Sequence, residues 1–270
     1  MTTAMPTLLF LHAHPDDECI LTGATMAGAR DLGFRILVAY GTRGDAGETN
    51  ADLGQETLGE RRTHEAIDAS NELGAARIEF LDFDDSGMAD TETTSNPGAF
   101  SNASLDEIST RLAAVFADET ITAVIGYDRN GTYGHPDHIQ VHHAARHAAP
   151  VLGAHWVLDA TYHREYMAAL EDNGYGDIGD GFASAEAELT HFVEGENLLR
   201  AKLAALSHHG SQVPDDFDAE APDVAGFSRM FGTEWYIVDA LQGDADWTPF
   251  EALFTPKQHW SGAPPLVSTD

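Results

Sequence analysis

The sequence predicts an α/β fold: a mostly parallel, twisted sheet with helices on both faces. Three observations carry this. Short apolar runs alternate with helical stretches through the first half of the chain. Two His-Pro-Asp clusters each follow an apolar run, where open parallel sheets keep their ligand sites. A chain of 270 residues with 43% hydrophobic content suffices for one large domain.

The elements follow in order. Thr7–Leu11 is a short apolar strand, then a polar loop, then a helix from about Glu18 to Arg30 that Gly33 ends. Phe34–Tyr40 is β-rich. Leu53–Leu73 has a helical pattern, with Gly74 as its C-terminal cap. Arg77–Phe83 reads as a third strand. Ser104-Leu105-Asp106-Glu107 is a capping box that opens a helix to about Ala117. Thr122–Tyr127 is a fourth strand and Asp137–Ala148 a further helix. Right-handed crossovers should join the strands. In the second half, His155–His163 reads as a strand, Asp172–Ala187 as an acidic, Gly-rich loop, and Glu194–His208 as a helix. Pro214–Pro222 is an acidic, mobile surface loop and Glu234–Ala240 a last strand. No shift in composition marks a boundary. One domain, 1–270, is expected, with a core of about 7–165 on which 166–270 packs.

Composition excludes several partners. Asp and Glu number 45 against 14 Lys and Arg, a net charge of −31, and Lys202 and Lys257 are the only lysines. So acidic a surface repels phosphate backbones and anionic bilayers, so neither nucleic acid nor membrane is expected as a partner. It keeps the protein soluble, and it suits a high-salt environment in which self-repulsion is screened. No apolar run reaches the roughly 18 residues of a membrane span. Met1–Pro6 lacks the pattern of a secretory signal. The single cysteine, Cys19, fits a reducing compartment, so a cytoplasmic location is expected.

His14-Pro15-Asp16-Asp17-Glu18 stands at the end of the first strand. Imidazole and carboxylate are zinc donors, and a catalytic site uses three of them and leaves one position open. His14 and Asp17, three residues apart at a helix start, can reach one ion, which frees Asp16 to act as a base. Taken alone, the segment also reads as an acidic helix start that complements the helix dipole. The second cluster, Tyr133-Gly134-His135-Pro136-Asp137-His138, weakens that reading. His138 completes a His/Asp/His set, with His142 one turn on as the competing ligand. His135 can face a substrate, with Asp137 to orient it. Arg62 also fits a helix-surface ion pair with Glu65, and Tyr133 also fits a packing role in its loop.

The two clusters resemble the paired motifs of the LmbE-like/PIG-L superfamily of zinc deacetylases. Arg62-Thr63-His64-Glu65 is similar to that superfamily's R-x-x-E helix motif. Asp85-Ser86-Gly87-Met88, Asn130-Gly131-Thr132-Tyr133-Gly134, Lys202…His209-Gly210-Ser211-Gln212 and Glu234-Trp235 resemble the branch that acts on mycothiol and its precursor. Asp84 departs from that branch, which carries arginine there, and the insert 172–187 has no counterpart in it. The resemblance implies a Rossmann-like fold without dinucleotide, one Zn²⁺ per chain on His14, Asp17 and His138, and Asp16 as general base. It implies His135 as acid or oxyanion stabiliser supported by Asp137, Tyr133 as a carbonyl-polarising tyrosine, and Arg62 and Asp85 in substrate binding. The expected activity is hydrolysis of the amide of an N-acyl amino sugar, foremost deacetylation of an N-acetylglucosamine derivative. Cleavage of a mycothiol S-conjugate amide is the alternative within the class. Outside it stand a two-metal phosphoesterase, for which only Asp82/Asp84/Asp85 offers further carboxylates, and a metal-stabilised sugar-binding module.

Overall fold

The computed structural model describes residues 5–213, 224–241, 243 and 245–264. In chain order the main elements are β1 (Thr7–His12), α1 (Asp17–Asp31), β2 (Arg35–Tyr40), α2 (Leu58–Glu72), β3 (Arg77–Phe80), α3 (Leu105–Val115) and β4 (Ala123–Tyr127). There follow a single turn α4 (Gly131–Gly134), α5 (Pro136–Val151), β5 (Trp156–Thr161), α6 (Arg164–Ala169), β6 (His191–Glu194) and α7 (Glu196–Leu206). The chain continues through α8 (Val224–Phe231), β7 (Thr233–Ala240) and β8 (Thr255–Pro256).

Eight strands form one sheet in the order β3-β2-β1-β4-β5-β7-β6-β8. The first five are parallel to their neighbours, and β7, β6 and β8 pair antiparallel. Strand β1 is central and buried along its whole length, as a parallel strand covered on both faces must be. From β1 the chain winds outward twice, first to β2 and β3, later to β4 and β5. Right-handed crossovers then place α1 and α2 on one face and α3 and α5 on the other. The contacts agree, since α1 and α2 pack on α7 while α3 packs on α5. The reversal of winding falls between β1 and β4, and a crevice opens at their carboxyl ends.

Helix α2 starts at Leu58 rather than Leu53. Thr57 accepts from the Glu60 amide at 3.2 Å, and the Glu60 side chain reaches back to the Thr57 amide, a reciprocal cap that fixes the first turn. Strand β3 stops at Phe80 rather than Phe83, and Asp82 just beyond it takes a left-handed backbone, φ +55°. The second half holds α6, β6, α8 and β8 beyond the expected elements, and Glu194 ends β6 instead of opening a helix. The loop expected over Pro214–Pro222 lies outside the described residues.

Strand β7 locks the C-terminal part onto α1. Both oxygens of buried Glu234 accept from backbone amides in the middle of α1, Ala24 and Thr25, at 2.8 Å each. Lys202 on α7, also buried, donates to Glu234 at 2.9 Å and to the Phe231 carbonyl at 2.8 Å. Among the described residues, no helix is long and apolar enough to cross a membrane.

Candidate active site and metal centre

The crevice between β1 and β4 gathers both clusters. Beyond β1 the chain turns sharply: Asp16, the cap of α1, has φ +96°, a strained value for a residue with a side chain. Arg62 on α2 holds the turn by donating to the carbonyls of Pro15 (2.6 Å) and Gly44 (2.8 Å), and it lies 3.3 Å from Asp16 Oδ2. Beneath it, Glu18 accepts from the Asp16 amide at 2.9 Å and from His209 Nε2 at 2.6 Å. Glu18 and His209 are fully buried.

The second cluster is equally fixed. Buried Asp128 accepts from the amides of Asn130 (3.0 Å) and Thr132 (2.9 Å), from Ser184 Oγ (2.9 Å) and from the Thr161 hydroxyl. Thr132 is left-handed at φ +59°. Gly131 must be glycine, because a Cβ there would lie 2.6 Å from the Ile139 amide nitrogen. Pro136 opens α5 at its first position, where a missing N–H removes no helical hydrogen bond, and His135 caps it by accepting from the Asp137 amide at Nδ1, 3.2 Å.

Three donors converge. Asp17 Oδ1 lies 3.3 Å from His138 Nε2, and Asp17 Oδ2 lies 3.6 Å from His14 Nδ1. Around a tetrahedral ion with bonds of about 2.0–2.2 Å, neighbouring donors stand about 3.3–3.6 Å apart. All three side chains are buried, and their nitrogen and oxygen chemistry suits a small divalent ion. The competing His142 faces away; its Nδ1 lies 2.9 Å from the Tyr127 carbonyl and 3.6 Å from Asp159.

A second set, His14, Asp85, His135 and Asp137, adjoins the first and shares His14. Its carboxylates are already engaged. Asp137 accepts from the amides of Ser86 (2.9 Å) and Ser101 (2.8 Å), and Asp85 from those of Gly87 (2.8 Å) and Ala46 (3.2 Å). Asp137 stands 3.3 Å and Asp85 3.5 Å from His14 Nε2. The Asp137 carboxylate is thus placed against His14, while its amide is what meets His135. This orients His14 Nε2–H toward acids and Nδ1 toward Asp17, as outer carboxylates orient metal-binding imidazoles.

Burial pushes the Asp16 carboxyl up to about 6, against the pull of Arg62. Burial and the neighbouring imidazoles push His135 down to about 4, so at neutral pH its ring is uncharged. Because Nδ1 accepts from the Asp137 amide, the proton sits on Nε2. Tyr133 places its hydroxyl 3.3 Å from His138 Nε2, over the donor set. His14, Asp16, Arg62, Asp85, Tyr133 and His135 all line one open cleft of about 580 Å³.

Residue types alone did not single out His209, Asp128 or Glu65 as parts of this site. The C-terminal pattern held the signal. Its Lys202 and Glu234 pair with each other, His209 pairs with Glu18, and Ser211 donates to Glu65 through its amide (2.8 Å) and hydroxyl (2.6 Å). That pattern is the set of clamps that holds α1, the Asp16 turn and α2.

Comparison with known proteins places the chain in a family. The family model described as PIG-L: GlcNAc-PI de-N-acetylase matches residues 9–149. A 1D-myo-inositol 2-acetamido-2-deoxy-alpha-D-glucopyranoside deacetylase of Rhodococcus opacus is 36% identical over 237 residues, covering 76% of this chain and 81% of the relative. A protein of the same description from Streptomyces avermitilis is 32% identical over 265 residues, covering 85% and 90%. The fold is shared with N,N'-diacetylchitobiose deacetylase from Pyrococcus horikoshii, with TM-score 0.60, 21% identity, and 87% and 84% of the two chains covered. It is shared too with a zinc-inhibited form of teicoplanin deacetylase Orf2, with TM-score 0.55, 19% identity, and 88% and 99% covered.

Proposed function

Since the chain belongs to the PIG-L family of GlcNAc-PI de-N-acetylases, we propose that it is a zinc-dependent deacetylase of an N-acetylglucosamine derivative. The observation that carries this is the donor triangle of His14, Asp17 and His138 beside the Asp16 carboxylate, with His14 and Asp16 on the wall of one cleft. A zinc ion on that triangle supplies Lewis-acid polarisation of the amide carbonyl and a lowered pKa for water.

The chain's own groups do the rest. Asp16, buried and with its carboxyl raised to about 6, is ionised at neutral pH yet basic enough to take a proton from the attacking water. His135 donates its Nε2–H to the carbonyl oxygen as that oxygen gains charge. An imidazole pushed to about 4 serves better as a neutral hydrogen-bond donor than as an acid. Asp16 therefore returns its proton to the leaving amine. Tyr133 offers its hydroxyl to the same oxygen, and Asp137 keeps His14 in the correct tautomer. Asp85 and Arg62, which both line the cleft, meet the sugar hydroxyls. The second donor set is taken up by backbone amides, which supports one ion per chain. A binding module would need neither the base nor the neutral donor.

The test is a panel of N-acetylglucosamine derivatives read by release of free amine. The zinc-loaded protein should release amine from at least one glycoside with a neutral aglycone, lose this activity to a chelator, and regain it with zinc. No amine from any member of the panel would overturn the reading.

A further inference from the structure

The insert 172–187 is built against the cleft. The Ala183 amide donates to the Thr132 carbonyl at 2.5 Å, Asn130 Nδ2 donates to the Ala183 carbonyl at 2.7 Å, and Ser184 donates to Asp128. Arg164 fastens it from the other side through the carbonyls of Phe182 (2.6 Å) and Ala183 (2.7 Å). So held, the insert lays the Tyr175 ring on Tyr133, with centroids 5.7 Å apart and planes inclined by 28°. The Tyr175 hydroxyl lies 3.2 Å from that of Tyr162, and Phe182 meets the Tyr175 ring edge-on at 5.0 Å.

This aromatic stack walls a second cavity of about 420 Å³, lined by Tyr133, Tyr175, Phe182, Met88 and Asp177. Tyr133 and Met88 also line the catalytic cleft, so the two cavities adjoin. Tyr175 and Met88 keep 36% and 48% of their surface exposed, a large apolar area beside a catalytic cleft. A ring with axial C–H bonds stacks well on an aromatic face. Residues 171–187 also carry Glu171, Asp172, Asp177, Asp180 and Glu186 and no Lys or Arg. Of these, Asp177 lines the cavity itself, a negative charge that an anionic ligand meets there.

We propose that the insert forms a subsite for the aglycone, which takes a neutral polyhydroxylated ring on the Tyr175 face and rejects a phosphorylated one. The proposal rests on the reading of the substrate as an N-acetylglucosamine derivative. It names Tyr175 and Asp177 as specificity residues for the part of the substrate that does not react.

Binding without turnover tests it, by calorimetry on the zinc-loaded Asp16→Asn protein. The probes are methyl N-acetylglucosaminide, the same sugar linked to inositol, and that conjugate with a phosphate on the inositol. The neutral conjugate should bind about tenfold more tightly than the methyl glycoside, and the phosphate should abolish the gain. Tyr175→Ala should remove the gain and leave the methyl glycoside within twofold, whereas Tyr175→Phe should keep it. Asp177→Asn should recover part of the binding lost to phosphate. Equal binding of the methyl and neutral inositol probes, equal weakening of both by Tyr175→Ala, or no measurable binding would overturn the subsite. Equal binding of the phosphorylated probe would overturn the rejection of anions. A wild-type protein that binds these probes but releases no amine would sink the deacetylase reading and leave the subsite standing.

Discussion

Single residues carry sharply different loads in this site. Asp16 touches the reacting atoms in the proposed mechanism and binds no ion. Asp16→Asn should lower kcat by roughly 10²–10⁴-fold while the zinc content per chain, measured by elemental analysis, stays unchanged. A variant within tenfold of wild type would remove Asp16 as the base. His209 works at a distance, since with Glu18 it forms a fully buried charged pair under the strained Asp16 turn. Removal of one partner strands the other charge away from water. His209→Ala should therefore cost about 3–5 kcal/mol in denaturant unfolding. Adding Glu18→Gln should give part of that back, which a loss of packing alone would not allow.

Elements place these residues, and their packing sets the tolerances. Strand β4 meets α5 through Gly126, where an added Cβ would stand 2.7 Å from the Ala145 Cβ. Gly126→Val should push away the helix that carries His138. The expected result is a loss of about 1–3 kcal/mol in stability together with weaker zinc retention under chelator competition. Helix α5 also holds a pH-dependent contact. Burial lowers the His142 pKa, but the Asp159 carboxylate outweighs it and raises it above its ordinary value. A raised pKa in the folded chain adds stability that is complete below the unfolded value of about 6.5. This stability is lost as pH rises through the folded value. His142→Ala should thus destabilise more at pH 5.5 than at pH 9, by about 1 kcal/mol at most, as read from paired denaturant melts. The elements that the sequence displayed were those whose pattern is local. The apolar run of β1, the Gly74 cap and Pro136 each announce themselves within a few residues. Strand β6 spans only His191–Glu194, too short for alternation to show, and α2 begins at a cap hidden inside a longer helical pattern. The site divided in the same way. His14, Asp17 and His138 stood in motifs, whereas the Glu18–His209 contact joins positions 191 apart and has no local signature.

At the scale of the whole molecule, charge dominates. A net charge of −31 on 270 residues works against the compact state at low ionic strength. Added salt screens that repulsion over about 10 Å at 0.1 M and about 3 Å at 1 M. The melting temperature should climb between those two concentrations, by scanning calorimetry. A flat or falling profile would mean that the acidic surface serves solubility alone.

The late arrival of β7 in the chain bears on how the protein is made. Its residues, Thr233–Ala240, follow β6 in synthesis yet sit between β5 and β6 in the sheet. Until they leave the ribosome, β5 offers a bare hydrogen-bonding edge, and β6 has no strand to join. A nascent edge of this kind invites pairing with other chains. Chains halted before residue 233 should therefore collect in the insoluble fraction of a cell extract, where full-length chains stay in solution. The enzyme's last long strand would then be its safeguard against self-association during birth.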